Sequence, residues 1–490
     1  MFVSLYSTRL ILASLGASDF GIFNVVGGAI AMLGFLNSTM ANATQRFMSY
    51  AEGEGRLLKK RTIFNVSIVL HVCIAIATVF LLLTAMYPLF HGIFNIDTER
   101  QPAATIVYLC LIFSTVLTII NVPYDAVMNA HENMLYYSIV GICESLLRLA
   151  VAYICVYTSK DKLIVYGILM ACIPLITLSV MKVYCHRHYE ECVIAPRRYW
   201  DNSMVKNITS FFGWNFLTAV TSLISVQGIS IVLNHFFGTV LNAAQGIANQ
   251  VNGSLSHFSE NMKKALNPVI TKNAGSKNIE GMNRATIAGC KFSSLITMIF
   301  GIPVCLEVNY ILKIWLTEVP AWSALFVVFQ LVQGIIVQMG SSAATAVYAQ
   351  GNIKHYAIWK SLMNILPIII TWIAFKTGGG PIWLYIPMIA FWGIAGDVVI
   401  VYFAHKKCQL NVQHYLKNVL LPLLLSTLIM VVCGFIPLYF FDESLFRLFM
   451  TFIATTIGML ISGWLCVISN EEKMVMMDIV KRPFYRNKEK

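Results

Sequence analysis

Long apolar stretches, separated by short polar connections, constrain the fold of this chain more than any other feature of its sequence. A helix needs about 20 apolar residues to cross the roughly 30 Å of hydrocarbon in a bilayer. Only 12% of the 490 residues are charged, about half the roughly 25% usual in soluble domains. The sequence therefore predicts an all-α polytopic membrane protein with about 14 transmembrane helices. Fourteen apolar runs occupy residues 1–15, 21–44, 64–90, 103–122, 135–157, 163–181, 208–236, 240–260, 288–308, 321–347, 357–375, 382–404, 418–440 and 445–468.

The first apolar run is short, because 15 residues form a helix of only about 22 Å. We expect either an incomplete first span or a true start codon upstream of Met1. A cleaved signal peptide is the competing interpretation. Arg9 interrupts the apolar region, however, and no A-x-A cleavage site follows it.

Basic residues are distributed unevenly between the two sides of the membrane. Twenty-seven of the 35 lysines and arginines fall in connections on one side, six on the other, and Arg9 and Arg148 lie within runs. The positive-inside rule predicts that the richer side and the C-terminus lie in the cytoplasm, and we expect a multi-pass protein of the inner (cytoplasmic) membrane. This asymmetry and attraction to anionic lipid headgroups account for the net charge of +12, so we predict no nucleic-acid partner.

The chain contains an internal repeat. The phrase G-I-x-N-x-V-x-G occurs at 21–28 and at 246–253, and residues 131–189 align without a gap with 350–408. Each copy holds six spans, an even number, so we predict two lobes related by a pseudo-twofold axis along the membrane normal, with substrate between them and alternating access. The predicted domains are an N-lobe (1–190), a C-lobe (207–408), and a C-terminal part (409–490) with spans 13 and 14 and a basic tail.

Polar residues recur on one helical face in spans 2 and 8. Lipid offers amides no partners, so such a face should meet protein or water. Tight helix packing is the simpler explanation for the glycines on this face. For the longer polar side chains we favour a hydrophilic substrate path, with Asn24 and Asn249 at symmetry-related positions towards the periplasm. The predicted path comprises Asn24 of span 2 and Gln245, Asn249, Ser256 and Glu260 of span 8.

Charged residues inside predicted spans are costly and mark functional positions. Arg9 either snorkels to the outer headgroups or grips a phosphate or diphosphate in the path, which a guanidinium suits through bidentate hydrogen bonds. Glu144 and Arg148, spaced i,i+4, can form an ion pair. Asp397 has no partner nearby in sequence, and either bonds to an adjacent helix or titrates. We therefore assign Glu144, Arg148 and Asp397 to ion coupling or lobe contacts.

No sequence motif indicates an enzyme, because Walker A, paired metal-ligand and nucleophile-elbow patterns are absent from the sequence. We predict no cofactor, and if transport requires work, either a proton or sodium gradient or downstream removal of the product must drive it. Cys185, His186, His188 and Cys192 are conceivable zinc ligands, but they lack paired C-x-x-C spacing. We therefore predict no metal site.

Three segments carry a family resemblance: S-L-Y-S-T-R-L-I-L-A-S-L-G-A-S-D-F-G-I-F-N-V-V-G-G (4–28), A-T-Q-R-F (43–47) and V-P-Y-D-A-V-M-N-A-H-E-N-M (122–134). They resemble the bacterial polysaccharide flippases (Wzx-type, or lipopolysaccharide biosynthesis proteins) of the multidrug/oligosaccharidyl-lipid/polysaccharide (MOP) exporter superfamily. The resemblance covers essentially the whole chain. Family members usually begin with a short basic cytoplasmic segment that this chain lacks.

The resemblance implies a MATE-like fold and a transporter that moves undecaprenyl-diphosphate-linked oligosaccharide from the cytoplasmic to the periplasmic leaflet. It also implies that Arg9 and Arg46 occupy the places of arginines that face a cationic cleft. The implied partners are the lipid-linked oligosaccharide, membrane lipids, and the polysaccharide polymerase and glycosyltransferases of the same process.

Two alternatives to a flippase remain. The first is a MATE-type multidrug or cation antiporter driven by protons or sodium ions, in which span 1 often carries an acidic residue where this chain has Arg9. The second is a membrane-embedded polysaccharide polymerase or ligase. That class normally displays a large periplasmic loop, whereas the outer connections here are all short.

Overall fold

The computed structural model describes residues 2–31, 34–94, 96–316, 318–469 and 472–474, without the side chains at 2–5, 8, 9, 17, 31, 35 and 93. The described residues form helices and short connections, with no β-strand. The helices are α1 (Phe2–Ala31), α2 (Gly34–Glu54), α3 (Leu57–Pro88), α4 (Gln101–Ala130), α5 (Met134–Tyr157), α6 (Lys162–His188), α7 (Asn202–Gly275), α8 (Ile279–Leu306), α9 (Val308–Trp315), α10 (Ser323–Ala349), α11 (Lys354–Lys376), α12 (Pro381–Cys408), α13 (Val412–Phe440) and α14 (Leu445–Val467).

Among the described residues, eleven helices are long and apolar enough to cross a membrane, or up to twelve if the bent pair Leu10–Gly16 and Ser18–Ile30 is one span. The sequence predicts about 14, and the difference has two causes. The predicted spans 7 and 8 both lie in α7, whose 74 residues would extend about 110 Å if straight. The first predicted span and the start of the second both lie in α1, which bends by 114°. The rest of the second lies in α2, which is too polar to be counted as a membrane-crossing helix.

Two glycines mark these breaks. Gly16 in α1 has φ 77° and ψ 167°, and Gly238 in α7 has φ 78° and ψ −170°. That combination is essentially restricted to glycine, because a Cβ would clash with the backbone. Gly16 falls between predicted spans 1 and 2 and Gly238 between predicted spans 7 and 8, so the same backbone device occurs once in each half of the sequence repeat.

The described chain divides into two compact units. Unit 1 comprises Met1–Phe216 and Gly275–Lys277, and unit 2 comprises Leu217–Ala274 and Asn278–Lys490. The predicted domain boundaries at 190, 207 and 408 stay predictions.

Unit 1 is built around α4. Val107 and Tyr108 of this helix are fully buried, and the Tyr108 hydroxyl donates a hydrogen bond to the Leu82 carbonyl of α3 over 2.8 Å. A Cβ on Gly167 of α6 would lie 3.0 Å from the Val107 side chain, so α4 and α6 approach closely. Aromatic and small residues therefore fix how α3, α4 and α6 pack.

An ion-pair cluster fastens one edge of unit 1. Arg100, just before α4, donates hydrogen bonds to both carboxylate oxygens of Asp19 in α1, and its Nη1 lies 2.7 Å from Asp161 Oδ2. Asp161 also caps α6 by accepting from the Leu163 amide at 3.0 Å. We name Asp19, Arg100 and Asp161 the outer clasp, since the charge pattern predicts that they lie on the periplasmic side. The outer clasp holds α1 at Asp19, three residues after the bend at Gly16.

Unit 2 packs α8 and α12 against α10, and α13 against α14. Its largest fully buried side chains include Phe326 of α10 and Tyr385 of α12, whose ring centroids are 5.1 Å apart. Asn278 caps the start of α8 by accepting from the Gly281 amide at 2.9 Å. An N-cap oxygen satisfies an amide that has no partner within its helix.

The last helix is tied to unit 2 by a buried ion pair. Arg447 of α14 donates two hydrogen bonds to Glu307, of 2.9 and 2.7 Å, and the Thr451 hydroxyl donates a third of 3.0 Å to the same carboxylate. Glu307 is only 1% exposed. A buried carboxylate requires a paired and hydrogen-bonded partner, so this contact anchors α14 at the α8–α9 junction.

Candidate functional site

A polar pocket lies within unit 1 among the membrane-crossing helices α4, α5 and α6. Its volume is about 300 Å³. Ionisable residues inside membrane-crossing helices generally face a bundle interior or a water-filled cavity, and three of them line this pocket. The lining residues are Ser114, Leu117, Thr118, Asn121, Asp125, Tyr137, Val140, Gly141, Glu144, Arg148, Pro174, Thr177 and Met181.

Asp125 approaches the pocket from α4. Asn121 and Asn129 stand one turn before and one turn after it, on the same helical face. The Asn121 side-chain amide donates to Asp125 Oδ1 over 3.0 Å, and the Asn129 amide donates to the Asp125 carbonyl over 2.7 Å. Asn121 is buried. The second carboxylate oxygen of Asp125 leaves capacity for a proton, a cation or a substrate donor.

Glu144 and Arg148 approach the pocket from α5. Arg148 Nη2 lies 2.6 Å from Glu144 Oε1, so the i,i+4 ion pair expected from the sequence forms. The Arg148 side chain is nevertheless 51% exposed, and it lines the pocket. The pocket thus combines two carboxylates, one guanidinium and amide or hydroxyl groups.

The predicted substrate-path residues of the N-terminal half have different surroundings. Arg9 stands in α1, and its side chain lies outside the described residues. Asn24 is exposed, and its amide donates to the Phe20 carbonyl one turn earlier over 2.8 Å. The Arg46 guanidinium stacks on Phe47 and Tyr50, at 4.5 and 4.8 Å from the ring centroids. Such contacts stabilise a desolvated cation.

The predicted path residues in α7 lie partly on its surface and partly inside unit 2. Asn249 and Glu260 are exposed, and Ser256 is half-buried. Glu260 pairs with Lys263 one turn later. Gln245, by contrast, is only 3% exposed, and its Oε1 has no hydrogen-bond partner within the described part of the chain. A buried amide oxygen without a hydrogen-bond partner is costly. A water molecule or a rearranged helix would therefore supply a donor to Gln245 Oε1.

Asp397 stands where α12 approaches α10. A Cβ on Gly340 of α10 would overlap the Asp397 carboxylate. Lys360 of α11 is the cation that acts electrostatically on Asp397, and its Nζ would lie 3.7 Å from a Cβ on the neighbouring Gly396. Asp397 Oδ1 is buried and has no hydrogen-bond partner among the described residues. The site therefore holds a buried carboxylate packed against the α10 backbone at Gly340, within electrostatic reach of an ammonium group.

One turn after Lys360, Asn364 connects three helices of unit 2. Its side-chain amide donates to the Thr218 carbonyl and the Thr221 hydroxyl of α7, each at 3.3 Å. The backbone carbonyl of Asn364 accepts from the Ser225 hydroxyl and from Trp392 Nε1 of α12, the latter at 3.2 Å. Just before Asp397, α12 adopts π-helical geometry over Met388–Ala395. Segments of this kind are frequent at functional sites.

Sequence reasoning missed Asp125, Lys360 and Asn364. It ended span 4 at residue 122, whereas α4 continues to Ala130, so Asp125 was placed in a polar connection. The i,i+4 series Asn121, Asp125 and Asn129 was the available signal. Lys360 was counted with the cytoplasmic basic residues, because it stands near the start of its span.

The four cysteine and histidine residues at 185–192 do not converge as a metal set. Cys185 and Cys192 are buried free thiols, while His188 bonds to the Tyr184 carbonyl of its own helix. A different group, Glu52, His131 and Glu191, brings ligand atoms within 4.8 Å of one another.

Helices long and apolar enough to cross a bilayer, with ionisable clusters among them, define a multi-pass membrane fold. Neither the family models nor the curated proteins provide a match to the sequence. Solved structures do match. A MATE protein in the bent conformation is similar with a TM-score of 0.72 at 14% identity, covering 83% of this chain and 91% of that one.

Two further structures support the same fold. A point mutant of a MATE protein is similar with a TM-score of 0.71 at 12% identity, covering 84% of this chain and 93% of that one. A MOP superfamily transporter from Pyrococcus furiosus, described as having a binding pocket of reverse polarity that suggests a different function, gives 0.68 at 14% identity, with coverages of 83% and 94%. The predicted all-α, MATE-like polytopic membrane fold is therefore confirmed.

Proposed function

We propose that this protein is a flippase that moves an undecaprenyl-diphosphate-linked oligosaccharide, the repeat unit of an O-antigen, capsule or exopolysaccharide, from the cytoplasmic to the periplasmic leaflet. The observation that carries the proposal is the unit 1 pocket, where the half-exposed Arg148 lies among the membrane-crossing helices. A guanidinium in a low-dielectric site binds a diphosphate well, because its N–H groups match two phosphate oxygens and its charge is weakly hydrated. The motif resemblance supplies the lipid-linked oligosaccharide as the anionic substrate.

In this proposal Arg148 exchanges partners during transport. At rest it pairs with Glu144 at 2.6 Å. An arriving diphosphate competes for the guanidinium and releases the Glu144 carboxylate, which then stands in the same pocket as Asp125. Two carboxylates in one pocket bind a proton or sodium ion more readily than either alone, since a bound cation relieves their repulsion. Substrate binding is thereby coupled to ion binding, and Arg9 adds a second contact to the diphosphate.

The second candidate function is a multidrug or cation antiporter. Asp125 and Glu144 favour it, because carboxylates inside a membrane attract cationic substrates. The candidates differ in which substitution removes activity. A flippase should lose function in Arg9→Ala and Arg148→Ala, whereas an antiporter should lose it in Asp397→Asn and tolerate the arginine changes.

The decisive experiment deletes the gene and complements it with single variants, measuring surface polysaccharide together with lipid-linked oligosaccharide on the inner leaflet. We expect deletion and Arg148→Ala to lower the first and raise the second, with Arg148→Lys giving partial recovery. The matched control is Arg284→Ala, since Arg284 forms an equally spaced ion pair with Glu280 at 3.0 Å on an exposed helix face. Unchanged levels of both glycans in the deletion strain, with altered drug sensitivity, would overturn the flippase proposal.

A further inference from the structure

A histidine and two glutamates from separate segments of unit 1 come together in the fold. His131 lies in the turn between α4 and α5, Glu52 near the end of α2, and Glu191 in the segment after α6. Each offers one ligand atom, and these atoms all lie within 4.8 Å of one another. Bonds from imidazole nitrogen or carboxylate oxygen to Zn²⁺ are about 2.0–2.2 Å long, so two ligands on opposite sides of one ion lie up to about 4.4 Å apart. Small side-chain rotations therefore bring all three groups onto a single ion.

Direct hydrogen bonds link His131 to only one of the two glutamates. Its Nε2 lies 2.5 Å from Glu191 Oε1, which is a hydrogen bond. Its Nδ1 lies 3.6 Å from Glu52 Oε1, which is too long for a hydrogen bond. The hydrogen bond that Glu52 accepts within the described residues comes from Lys60 and reaches the other oxygen, Oε2, at 2.7 Å. A cation shared by the three side chains would use the Glu52 oxygen that lies beside the imidazole.

The charge and exposure of the group also suit a cation. Lys60 Nζ lies 2.7 Å from Glu52 Oε2 and 3.8 Å from Glu191 Oε2, so two carboxylates share one ammonium group and one negative charge is left over. Glu191 is only 2% exposed, and a buried carboxylate requires a compensating positive charge. The side chains of Glu52 and His131 are 17% and 21% exposed, which gives an ion a route from solvent.

The neighbours of His131 fix the orientation of its ring. The Tyr189 ring stacks on the imidazole, with centroids 4.2 Å apart and planes 12° from parallel. The Tyr189 hydroxyl accepts a hydrogen bond from the Asn133 side chain at 3.0 Å, and Asn133 is itself the N-cap of α5. A metal ligand that is held in place before binding loses less conformational freedom when the ion arrives.

We propose that Glu52, His131 and Glu191 bind a divalent transition-metal ion such as Zn²⁺, each through one ligand atom, with water completing the coordination. One imidazole nitrogen with carboxylate oxygens suits Zn²⁺ and similar first-row ions, whereas Cu⁺ prefers sulfur and Mg²⁺ and Ca²⁺ prefer oxygen alone. The ion replaces the proton between His131 and Glu191, which is released to solvent. The bound ion cross-links three segments of unit 1. This inference goes beyond the proposed function and holds for any transport substrate.

The zinc content of the full-length protein, purified without a histidine tag and held in lipid nanodiscs, tests the site. After EDTA treatment, reloading with Zn²⁺ and dialysis, we expect about one Zn²⁺ per chain and a higher melting temperature than in the metal-free protein. Glu52→Gln and His131→Gln should each weaken Zn²⁺ binding by at least about 100-fold, more than the loss of an outer-shell partner costs. His91→Gln is the matched control, because His91 also stacks on a tyrosine, with centroids 4.5 Å apart, and lies in unit 1 outside the group.

X-ray absorption at the zinc edge tests the ligands in the wild-type protein, without any variant. We expect nitrogen and oxygen ligands at about 2.0–2.2 Å, with the outer-shell scattering of one imidazole. Sulfur at about 2.3 Å would assign the ion to Cys185 and Cys192 and overturn the proposal. So would wild-type protein that retains no Zn²⁺, or equal retention by the wild type, Glu52→Gln and His131→Gln. Hydrogen bonds and ion pairs alone would then account for the group.

Discussion

Gly340 shows how little room surrounds the carboxylate of Asp397. Gly340→Ala should lower the free energy of unfolding by about 1–3 kcal/mol, the usual cost of overpacking a helix contact. The added Cβ would overlap Asp397 and force α10 and α12 apart. Thermal unfolding of purified protein measures the effect. Gly253→Ala is the control, because its Cβ would meet nothing within 4 Å, and equal melting temperatures of the two variants would contradict this account.

A substitution at Gly238 tests whether the break in α7 requires a glycine. Gly238→Ala should destabilise unit 2 by about 1–3 kcal/mol, since alanine rarely adopts φ 78° with ψ −170°. No side chain crowds the position, so the loss would come from the backbone alone. Gly246→Ala lies in helical geometry later in α7 and should be neutral or slightly stabilising. If both alanines behave alike in thermal melts, the break at Gly238 is not glycine-specific.

At the scale of elements, ion pairs hold helix ends in place. Arg447→Met should loosen α14 and cost about 3–5 kcal/mol, because it leaves the buried Glu307 carboxylate without its cation. Lys313→Met removes an exposed ion pair with Glu443, at 2.7 Å, and should cost no more than about 1 kcal/mol. Limited proteolysis of the 441–444 connection compares the two variants. Equal cleavage rates would show that α14 is held by apolar packing.

The outer clasp has a predictable pH dependence. Partial burial raises the pKa of Asp161. Hydrogen bonds from Arg100 and from the α6 amides lower it by more, so the pKa lies below its ordinary value. A carboxyl group of this kind stabilises the folded state above its ordinary pKa of about 3.9 and loses that contribution as pH falls through the lower folded value.

Asp161→Asn should therefore weaken the outer clasp at neutral pH and abolish its loosening in acid. Hydrogen exchange of residues 158–165, measured from pH 6 down to pH 3, follows both effects. Asp97→Asn serves as the control. Asp97 lies in the connection before α4 that also holds Arg100, but it is not part of the outer clasp. Acid loosening that persists in Asp161→Asn would assign it to another group.

Sequence periodicity predicted the helices well but not the places where they end or bend. Each of the fourteen apolar runs falls largely within the described helices, because apolar composition over about 20 residues is a local property. The end of α4 was misplaced by eight residues, since the apolar run stops short of the charged Asp125 whereas the helix continues through D-A-V-M-N-A to Ala130. Partners distant in sequence were not predictable. Asn364 contacts residues 139–146 positions away, and nothing in the local pattern indicates them.

For the whole molecule, the charge asymmetry makes a topology prediction. Alkaline phosphatase fused after Lys160 or Lys376 should be active, because those connections are predicted to be periplasmic. Alkaline phosphatase fused after Lys206 or at the C-terminus should be inactive. Green fluorescent protein fused at the same two places should be fluorescent. The 158–162 and 376–381 connections are equivalent in the repeat, so opposite results for the two would contradict a six-span period.

The Glu307–Arg447 pair has a consequence for how the protein is made. The partners are 140 residues apart, and ribosomes add about 5–20 residues per second. Glu307 therefore waits roughly 7–28 s before its cation is synthesised. During that interval it lacks the hydrogen bonds that Arg447 and Thr451 donate to it in the folded protein. A nascent chain that stalls before α14 would expose this unpaired carboxylate.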